Sequence, residues 1–125
     1  MIDIDHFQQV NDTCGHLTGD RVLKSLARLL GESLRRTDVI GRYGGEEFGV
    51  VMFNVDAGNA QRILDSIRED FSHHVHEAGE RQFSVTFSCG IASFPEFDGP
   101  GPISEAADRA LYHSKENGRN QITIL

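Results

Sequence analysis

The sequence predicts one α/β domain, an α+β sandwich in which helices pack on a mainly antiparallel sheet. Its 125 residues match the usual size of a single domain and are enough to bury one hydrophobic core. Stretches with helical spacing and with strand spacing alternate along the chain, without a repeat or a long linker. The longest loop is the stretch rich in Pro and Gly at residues 94–102.

Three helices are predicted where apolar residues recur every three or four positions. The clearest covers residues 17–35, with Thr18 in place to cap its first turn. The second runs over residues 57–74, and the third over residues 103–116, where small alanines and Leu111 form the face to be buried.

Five strands are predicted beside these helices, at residues 1–3, 38–43, 48–53, 82–93 and 121–125. The second and third are joined by the Gly44-Gly45 turn and form a hairpin. The resulting order is strand, helix, strand, strand, helix, strand, helix, strand. This order is typical of a ferredoxin-like sandwich.

The acidic balance of the chain limits the partners that it can have. With a formal net charge of -7, it lacks the basic surface with which a binder of DNA or RNA polymers displaces counterions. No apolar run is long enough to span a membrane, so we expect a soluble cytoplasmic domain without direct membrane contact, any anchor lying outside these residues. Cys14 and Cys89 have no metal-ligand spacing and are expected to be reduced, Cys89 in the core.

Two pairs of acidic residues form the strongest candidate for a functional site. Strand alternation places Asp3 and Asp5 on the face opposite to two isoleucines. Glu46 and Glu47 follow the two glycines, which permit a tight bend and the close approach of a ligand. One of these glutamates can meet Asp3 across neighbouring strands, and such oxygen ligands suit Mg²⁺ or Mn²⁺. An acidic hairpin tip exposed to solvent is the alternative that these acids alone leave open.

A longer series of motifs surrounds the acidic residues, in a fixed order and spacing. It consists of Asp3-Ile4-Asp5-His6-Phe7, Asn11-Asp12, Gly15-His16, Gly19-Asp20, Arg42-Tyr43-Gly44-Gly45-Glu46-Glu47-Phe48, Ser88-Cys89-Gly90-Ile91-Ala92, and then Asp108, Ala110, Tyr112, Lys115, Gly118, Arg119 and Asn120. In this series the chain resembles the GGDEF-domain diguanylate cyclase family over essentially its whole length. The resemblance implies a nucleotidyl-cyclase-type palm and an enzyme that condenses two GTP molecules into cyclic di-GMP with release of pyrophosphate. Each domain of a homodimer would hold one GTP.

The resemblance also implies a metal site. By motif position, Asp3, Glu46 and the carbonyl of Ile4 would bind Mg²⁺ or Mn²⁺, and Glu47 would serve a second ion. Glu46 is the candidate catalytic base for the attacking 3′-hydroxyl. Metal ligation alone is the open alternative for Glu46, because a metal can itself acidify that hydroxyl.

Substrate-binding positions follow from the same motifs. Asn11 and Asp20 match the residues that recognise guanine, and a carboxylate can accept from guanine hydrogens that adenine lacks. Lys115 and Arg119 match the cations on the terminal phosphates. The remaining substrate-binding positions are His16 and Phe7. Without the resemblance, Asn11 would be interpreted as a loop residue, Asp20 as an acid in a first helical turn, and the two cations as solvated ends of a helix.

A second site is implied by Arg35-Arg36-Thr37-Asp38, which fits the family's RxxD motif for inhibition by the product. Arg35 can donate to the O6 and N7 edge of guanine, and Asp38 can accept from its other edge. One extended strand would separate Asp38 from Glu46 by as much as roughly 26 Å. We therefore expect two pockets at opposite ends of a strand.

Three features depart from the family's pattern. Gln8 stands where a lysine is usual, and Ser66 stands where some members carry an arginine. The chain begins two residues before Asp3, so the 1–125 domain is expected to lack an N-terminal segment and most of its first strand. These departures leave open a catalytically impaired module that binds cyclic di-GMP as a regulatory receptor. A cyclase for another purine is opposed by Asn11 and Asp20.

A cluster of three histidines is a further candidate for a metal site. His73, His74 and His76 lie close in sequence, but their spacing at a helix end does not bring them to one face. An exposed histidine cluster is predicted instead.

Overall fold

The computed structural model describes all 125 residues and contains four helices and seven strands. The helices are α1 (Phe7–Cys14), α2 (His16–Ser33), α3 (Ala57–Ser72) and α4 (Pro100–Glu116). The strands are β1 (Ile2–Ile4), β2 (Val39–Arg42), β3 (Glu47–Val51), β4 (His76–Ala78), β5 (Arg81–Phe83), β6 (Phe87–Ile91) and β7 (Ile122–Ile124).

Five strands form the central sheet, in the order β2-β3-β1-β6-β7. The middle strand β1 is three residues long and is antiparallel to both of its neighbours. The β2–β3 pair is also antiparallel, and only β6 and β7 run parallel. This mainly antiparallel sheet with flanking helices confirms the predicted fold class.

The main core lies on one face of the sheet, against α1, α2 and α3. Alternate residues of the inner strands point into it: Ile2 and Ile4 from β1, and Phe87, Cys89 and Ile91 from β6. They meet the buried apolar stripes of the helices, which include Val10, Val22, Leu26, Leu30, Leu64, Ile67 and Phe71. The predicted burial of Cys89 is confirmed.

Helix α4 covers the opposite face of the sheet at very short range. A side chain on Gly90 would collide with the backbone of Leu111 and Ala107, so the helix can lie this close only because β6 carries a glycine there. The Ser114 hydroxyl donates to the Cys89 carbonyl at 2.8 Å, which ties the helix to the sheet. This contact fixes the C-terminal end of α4 beside β1 and β6.

Three local predictions were wrong. Residues 7–14 form the helix α1, which two buried anchors, Phe7 and Val10, hold against α2, and Asn11 therefore lies in a helix and not in a loop. Thr18 is buried inside α2 and does not cap it, because the helix already begins after Gly15. Residues 82–93 are not one strand, since β4 and β5 form a separate hairpin around Gly79, whose φ is +65°.

The histidine cluster differs from prediction as well. His76 is buried, with its ring 5.4 Å from that of Phe83 and 5.7 Å from that of Phe71. Its position as the first residue of β4 turns it inward, whereas His73 and His74 remain exposed. None of the helices is long and apolar enough to cross a membrane.

Candidate active site

The predicted meeting of Asp3 with one of the two glutamates is confirmed by the strand register. Asp3 lies opposite Glu47 in the β1–β3 pair, and the Ile4 amide donates to the Glu46 carbonyl at 3.3 Å. Asp3 points away from the main core, toward α4, because Ile2 and Ile4 point the other way. Three carboxyl groups, those of Asp3, Glu46 and Glu47, therefore share one end of the β1–β3 ladder.

Asp3 carries the strongest electrostatic perturbation of the site. Burial, reinforced by the nearby charges of Glu46 and Glu47, raises the pKa of Asp3 to about 6, although Lys115 acts in the opposite direction. The Nζ atom of Lys115 lies 3.1 Å from Asp3 Oδ1. These two groups form an ion pair, and the buried Oδ1 has no other partner. The centre of the site is thus a buried carboxylate that a single lysine neutralises.

This donor set fits a hard divalent cation. A buried carboxylate oxygen whose only partner is a lysine can serve as a ligand for such an ion, and two further carboxylates stand beside it. No group of three Asp, Glu, His or Cys side chains is close enough to enclose an ion by itself. Mg²⁺ is usually held by one or two carboxylates together with waters and substrate phosphates, so the residues present suit a metal that arrives with a nucleotide.

The glycine turn beside the acids is braced by Arg42. Its guanidinium donates to the Gly45 carbonyl at 2.7 and 3.1 Å and to the Gly44 carbonyl at 3.3 Å. The Tyr43 amide also donates to the Glu47 carbonyl at 2.9 Å, which closes the turn. Arg42 belongs to the motif at residues 42–48, but the sequence analysis assigned no role to it. Its contacts show that it fixes the backbone that carries Glu46 and Glu47.

The two residues predicted to recognise guanine are brought together by a glycine. Asn11 on α1 lies against Gly19 on α2, so closely that a side chain at Gly19 would collide with Asn11 Oδ1. Asp20 is the next residue on α2 and is exposed. Phe7 is almost completely buried under the same junction, with Cζ at 3.1 Å from the position of a Gly19 Cβ. The ring of Phe7 therefore supports Asn11 from the core side.

An open groove of about 470 Å³ leads from this junction to the hairpin. It lies between α2 and the β2–β3 pair, with Asp20 at one side and Arg42 and Phe48 at the other. His16 is exposed at the first position of α2. At the far side of the site, Lys115 reaches Asp3 from α4, and Arg119 is exposed just beyond that helix.

Arg35 and Asp38 lie at the other end of the β2–β3 hairpin, as predicted. Register pairs Val39 with Val51 at their end and Arg42 with Phe48 at the glycine end. Arg35 and Asp38 bind each other: the guanidinium donates to both carboxylate oxygens at 2.9 and 3.2 Å, and the Arg35 amide donates at 2.8 Å. These bonds hold the pKa of Asp38 below its usual value. The carboxylate is enclosed, while half of the Arg35 side chain remains exposed.

Comparison with known proteins identifies the family. A family model described as "Diguanylate cyclase, GGDEF domain" matches residues 1–121. The chain is 40% identical over 125 residues to Diguanylate cyclase A of Treponema denticola, in a match that covers 99% of this chain and 34% of that protein. The chain thus spans about a third of the length of this curated relative.

Solved structures show the same fold. The GGDEF domain of DgcB from Caulobacter crescentus in complex with c-di-GMP superimposes with a TM-score of 0.92 at 35% identity, covering 98% of this chain and 74% of that one. The active GGEEF domain of a diguanylate cyclase from Vibrio cholerae gives a TM-score of 0.91 at 35% identity, covering 98% and 78%. With its carboxylate turn, fold and sequence all in agreement, the chain belongs to the GGDEF domain family of diguanylate cyclases.

Proposed function

We propose that this domain condenses two GTP molecules into cyclic di-GMP, as a homodimer in which each subunit holds one GTP. The observation that carries the proposal is the buried Asp3 carboxylate, which lies beside Glu46 and Glu47 and forms an ion pair with Lys115 at 3.1 Å. Each 3′-hydroxyl attacks the α-phosphate of the other nucleotide and loses its proton, and one pyrophosphate leaves at each step. The product is closed by two new phosphodiester bonds.

Guanine recognition is assigned to Asn11 and Asp20. The Asp20 carboxylate can accept from the N1 and N2 hydrogens of guanine, and the Asn11 amide can both donate and accept. Their support is the contact of Asn11 with Gly19, which leaves the amide little freedom. Because adenine lacks the two hydrogens that Asp20 would accept, GTP is favoured over ATP. His16 lies at the start of the same helix and is assigned to the substrate's surroundings.

The phosphates are assigned to the other side of the site. Lys115 and Arg119 supply the cations for the terminal phosphates, and pairing with the pyrophosphate helps it to leave. Asp3, Glu46 and the Ile4 carbonyl would hold Mg²⁺ or Mn²⁺, with Glu47 available to a second ion. Such an ion, when bound, makes the attacking hydroxyl more acidic and neutralises charge on the phosphoryl group. Glu46 is the chain's own acceptor for the hydroxyl proton if ligation leaves one of its oxygens available.

Product inhibition is assigned to Arg35 and Asp38. Arg35 keeps one Nη and half of its surface available, so it can donate to guanine while it stays bonded to Asp38. Asp38 is enclosed, and the pair must open before this carboxylate can accept from the base. Since the site lies at the far end of the hairpin from Glu46, product bound there would act at a distance, by holding domains apart.

A receptor for cyclic di-GMP without catalysis is the second candidate. It is favoured by the preformed Arg35–Asp38 pair, which needs nothing from the carboxylate site. In either case we assign the domain to the cytoplasm, because nucleotide ligands and free cysteines are typical of proteins in that compartment.

Incubation of the chain with GTP and Mg²⁺, followed by chromatographic separation of the nucleotides, tests the proposal. We expect cyclic di-GMP and pyrophosphate from GTP, and no cyclic dinucleotide from ATP. Binding of cyclic di-GMP without turnover of GTP would favour the receptor. Equal turnover of ATP and GTP would contradict the assignment of Asn11 and Asp20.

A further inference from the structure

Asp5 has a more enclosed and better satisfied carboxylate than any of the acids in the proposed active site. It lies directly after β1 and is 1% exposed. Oδ2 accepts from the Thr86 hydroxyl at 2.7 Å and from the Asn120 amide at 3.0 Å, and Oδ1 accepts from the Ser88 hydroxyl at 2.7 Å. A buried carboxylate is costly unless it is fully hydrogen-bonded, so this one has a specific structural task.

The backbone donor to Asp5 belongs to an unusual turn. After α4, three consecutive residues have positive φ angles: Gly118 at 110°, Arg119 at 64° and Asn120 at 49°. Left-handed conformations are uncommon for residues with a side chain, and they persist where the surroundings impose them. Here the Arg119 amide donates to the Ser114 carbonyl at 2.9 Å and the Asn120 amide donates to Asp5. The turn is therefore held to β1 through Asp5.

A second contact holds the same turn from α3. The Nη1 atom of Arg68 donates to Asn120 Oδ1 at 2.7 Å. Arg68 is itself oriented by Asp65 at 2.7 Å and by Glu69 at 3.1 Å. Asn120 is thus held at two points: its backbone amide donates to Asp5, and its side chain accepts from Arg68 on α3. Arg119, one residue earlier, is left exposed with its backbone fixed on both sides.

We infer that Asp5 is a positioning residue, which locks the 118–120 turn and so aims Arg119 at the terminal phosphates of the nucleotide. The inference rests on the proposed function, in which Lys115 and Arg119 hold those phosphates. Lys115 already reaches Asp3 from the last turn of α4. Asp5 lies directly after the strand that carries Asp3, and it brings the segment just beyond that helix to the same side of the sheet. One strand therefore organises both the carboxylate site and its cations.

Two substitutions of the same residue separate this role from simple core packing. In Asp5→Asn, the amide oxygen can take the position of Oδ2 and accept from Thr86 and Asn120, while the amide nitrogen donates to the Ser88 hydroxyl, which rotates to accept. In Asp5→Ala, all three bonds are lost. We expect Asp5→Asn to behave as the unaltered chain does, and Asp5→Ala to release the turn.

The first measurement is amide hydrogen exchange, which does not depend on any activity. In Asp5→Ala, exchange at the Asn120 amide should accelerate at least about ten-fold, while the amides of β6 keep their protection. Asp5→Asn should retain slow exchange at Asn120. Unchanged protection of Asn120 in folded Asp5→Ala would overturn the inference.

The second measurement compares the binding of GTP and GMP by titration calorimetry in Mg²⁺, because only GTP carries the terminal phosphates. The unaltered chain and Asp5→Asn should prefer GTP, and Asp5→Ala should lose most of that preference while its affinity for GMP changes little. A folded Asp5→Ala that keeps the full preference would overturn the inference. If the unaltered chain itself bound GMP as tightly as GTP, the proposed function would fail, and the exchange data would still decide whether Asp5 holds the turn.

Arg68→Leu provides the same test without altering the buried carboxylate, should Asp5→Ala fail to fold. It removes the outer bond to Asn120 on the surface of α3. We expect faster exchange at Asn120 and a smaller loss of the GTP preference, in the same direction. A folded Arg68→Leu chain with faster exchange at Asn120 but an unchanged preference for GTP would contradict the inference.

Discussion

Lys115 Nζ on α4 forms an ion pair with Asp3 Oδ1 on the central strand, at 3.1 Å. The lysine therefore occupies the electrostatic position that a divalent cation would take beside the three carboxylates, and it is also the cation assigned to the phosphates. Removal of the lysine should strengthen metal binding, because the metal loses a competitor. It should weaken nucleotide binding, because the phosphates lose a cationic partner.

The first prediction follows for Lys115→Met. The variant should bind Mn²⁺ about three to ten times more tightly in the absence of nucleotide, and GTP about ten times more weakly, as for loss of one charge-assisted contact. Mn²⁺ binding can be followed by electron paramagnetic resonance and GTP binding by calorimetry. Arg109→Met, an equal change of charge at an exposed position of the same helix, is the control. Weaker binding of Mn²⁺ by Lys115→Met would contradict the prediction.

The second prediction concerns Gly19, where an added Cβ would collide with Asn11 Oδ1. Gly19→Ala should displace Asn11 and reduce the preference for GTP over ATP about ten-fold, and it should cost about 1 to 3 kcal/mol of unfolding free energy as overpacking. Gly31→Ala on the same helix meets no atom within 4 Å and should stabilise by up to about 1 kcal/mol through helix propensity. Competitive nucleotide binding and urea unfolding measure both effects. A Gly19→Ala chain with unchanged nucleotide preference would argue against Asn11 as a guanine contact.

The third prediction tests the product site. Arg35→Ala removes the donor to guanine and also leaves the enclosed Asp38 carboxylate without its guanidinium partner, so affinity for cyclic di-GMP should fall at least about ten-fold. Arg36→Ala is the matched control, since Arg36 is the exposed neighbour and makes no hydrogen bond to Asp38. Titration calorimetry with cyclic di-GMP decides the matter, and equal affinity in the two variants would remove the assignment.

The fourth prediction concerns acid stability. Burial, and secondarily the charge of His74, lowers the pKa of His76 from 6.5 to about 4. Between these pH values His76 is protonated in the unfolded chain but not in the folded chain. The contribution of His76 to the free energy of unfolding is therefore complete above about pH 6.5 and is lost as the pH falls toward 4. The loss is at most about 3.5 kcal/mol, at about 1.4 kcal/mol per pKa unit.

His76→Phe removes this titration and suits the aromatic surroundings that Phe71 and Phe83 provide. Besides His74, the charged side chains that line the adjoining groove are Arg21 on α2 and Glu77, the residue that follows His76. The variant should lose less unfolding free energy than the unaltered chain between pH 7 and pH 5, as measured by urea unfolding. His113→Gln, at an exposed histidine, should leave the loss unchanged. An identical loss in His76→Phe and the unaltered chain would show that His76 takes up its proton without unfolding.

Sequence reasoning reached those parts of the fold that local patterns determine. Alternation in β1 was enough to separate the isoleucines from Asp3, and the glycine turn was enough to predict the β2–β3 hairpin and its place beside the acids. The long helices α2, α3 and α4 have apolar stripes of several turns, so their existence was clear and only their ends differed. The resemblance then supplied roles that spacing could not.

What could not be predicted depends on contacts between distant residues. Helix α1 has eight residues and owes its stability to packing on α2, which no local pattern reveals. The bond from Asp5 to Asn120 joins residues 115 positions apart, and the mutual pairing of Arg35 and Asp38 depends on where the chain turns after α2. His76 was wrongly predicted to be exposed, because its burial depends on the hairpin that β4 and β5 form and not on the neighbouring histidines.

The most direct test of the carboxylate site is the initial rate of cyclic di-GMP formation from GTP and Mg²⁺ by the unaltered chain and by Glu46→Gln. Glu80→Gln, at the exposed β4–β5 turn, is the control for loss of one negative charge. If Glu46 acts as metal ligand or base, the rate should fall at least about 100-fold in Glu46→Gln and remain unchanged in Glu80→Gln. Equal rates for Glu46→Gln and the unaltered chain would contradict the proposed site.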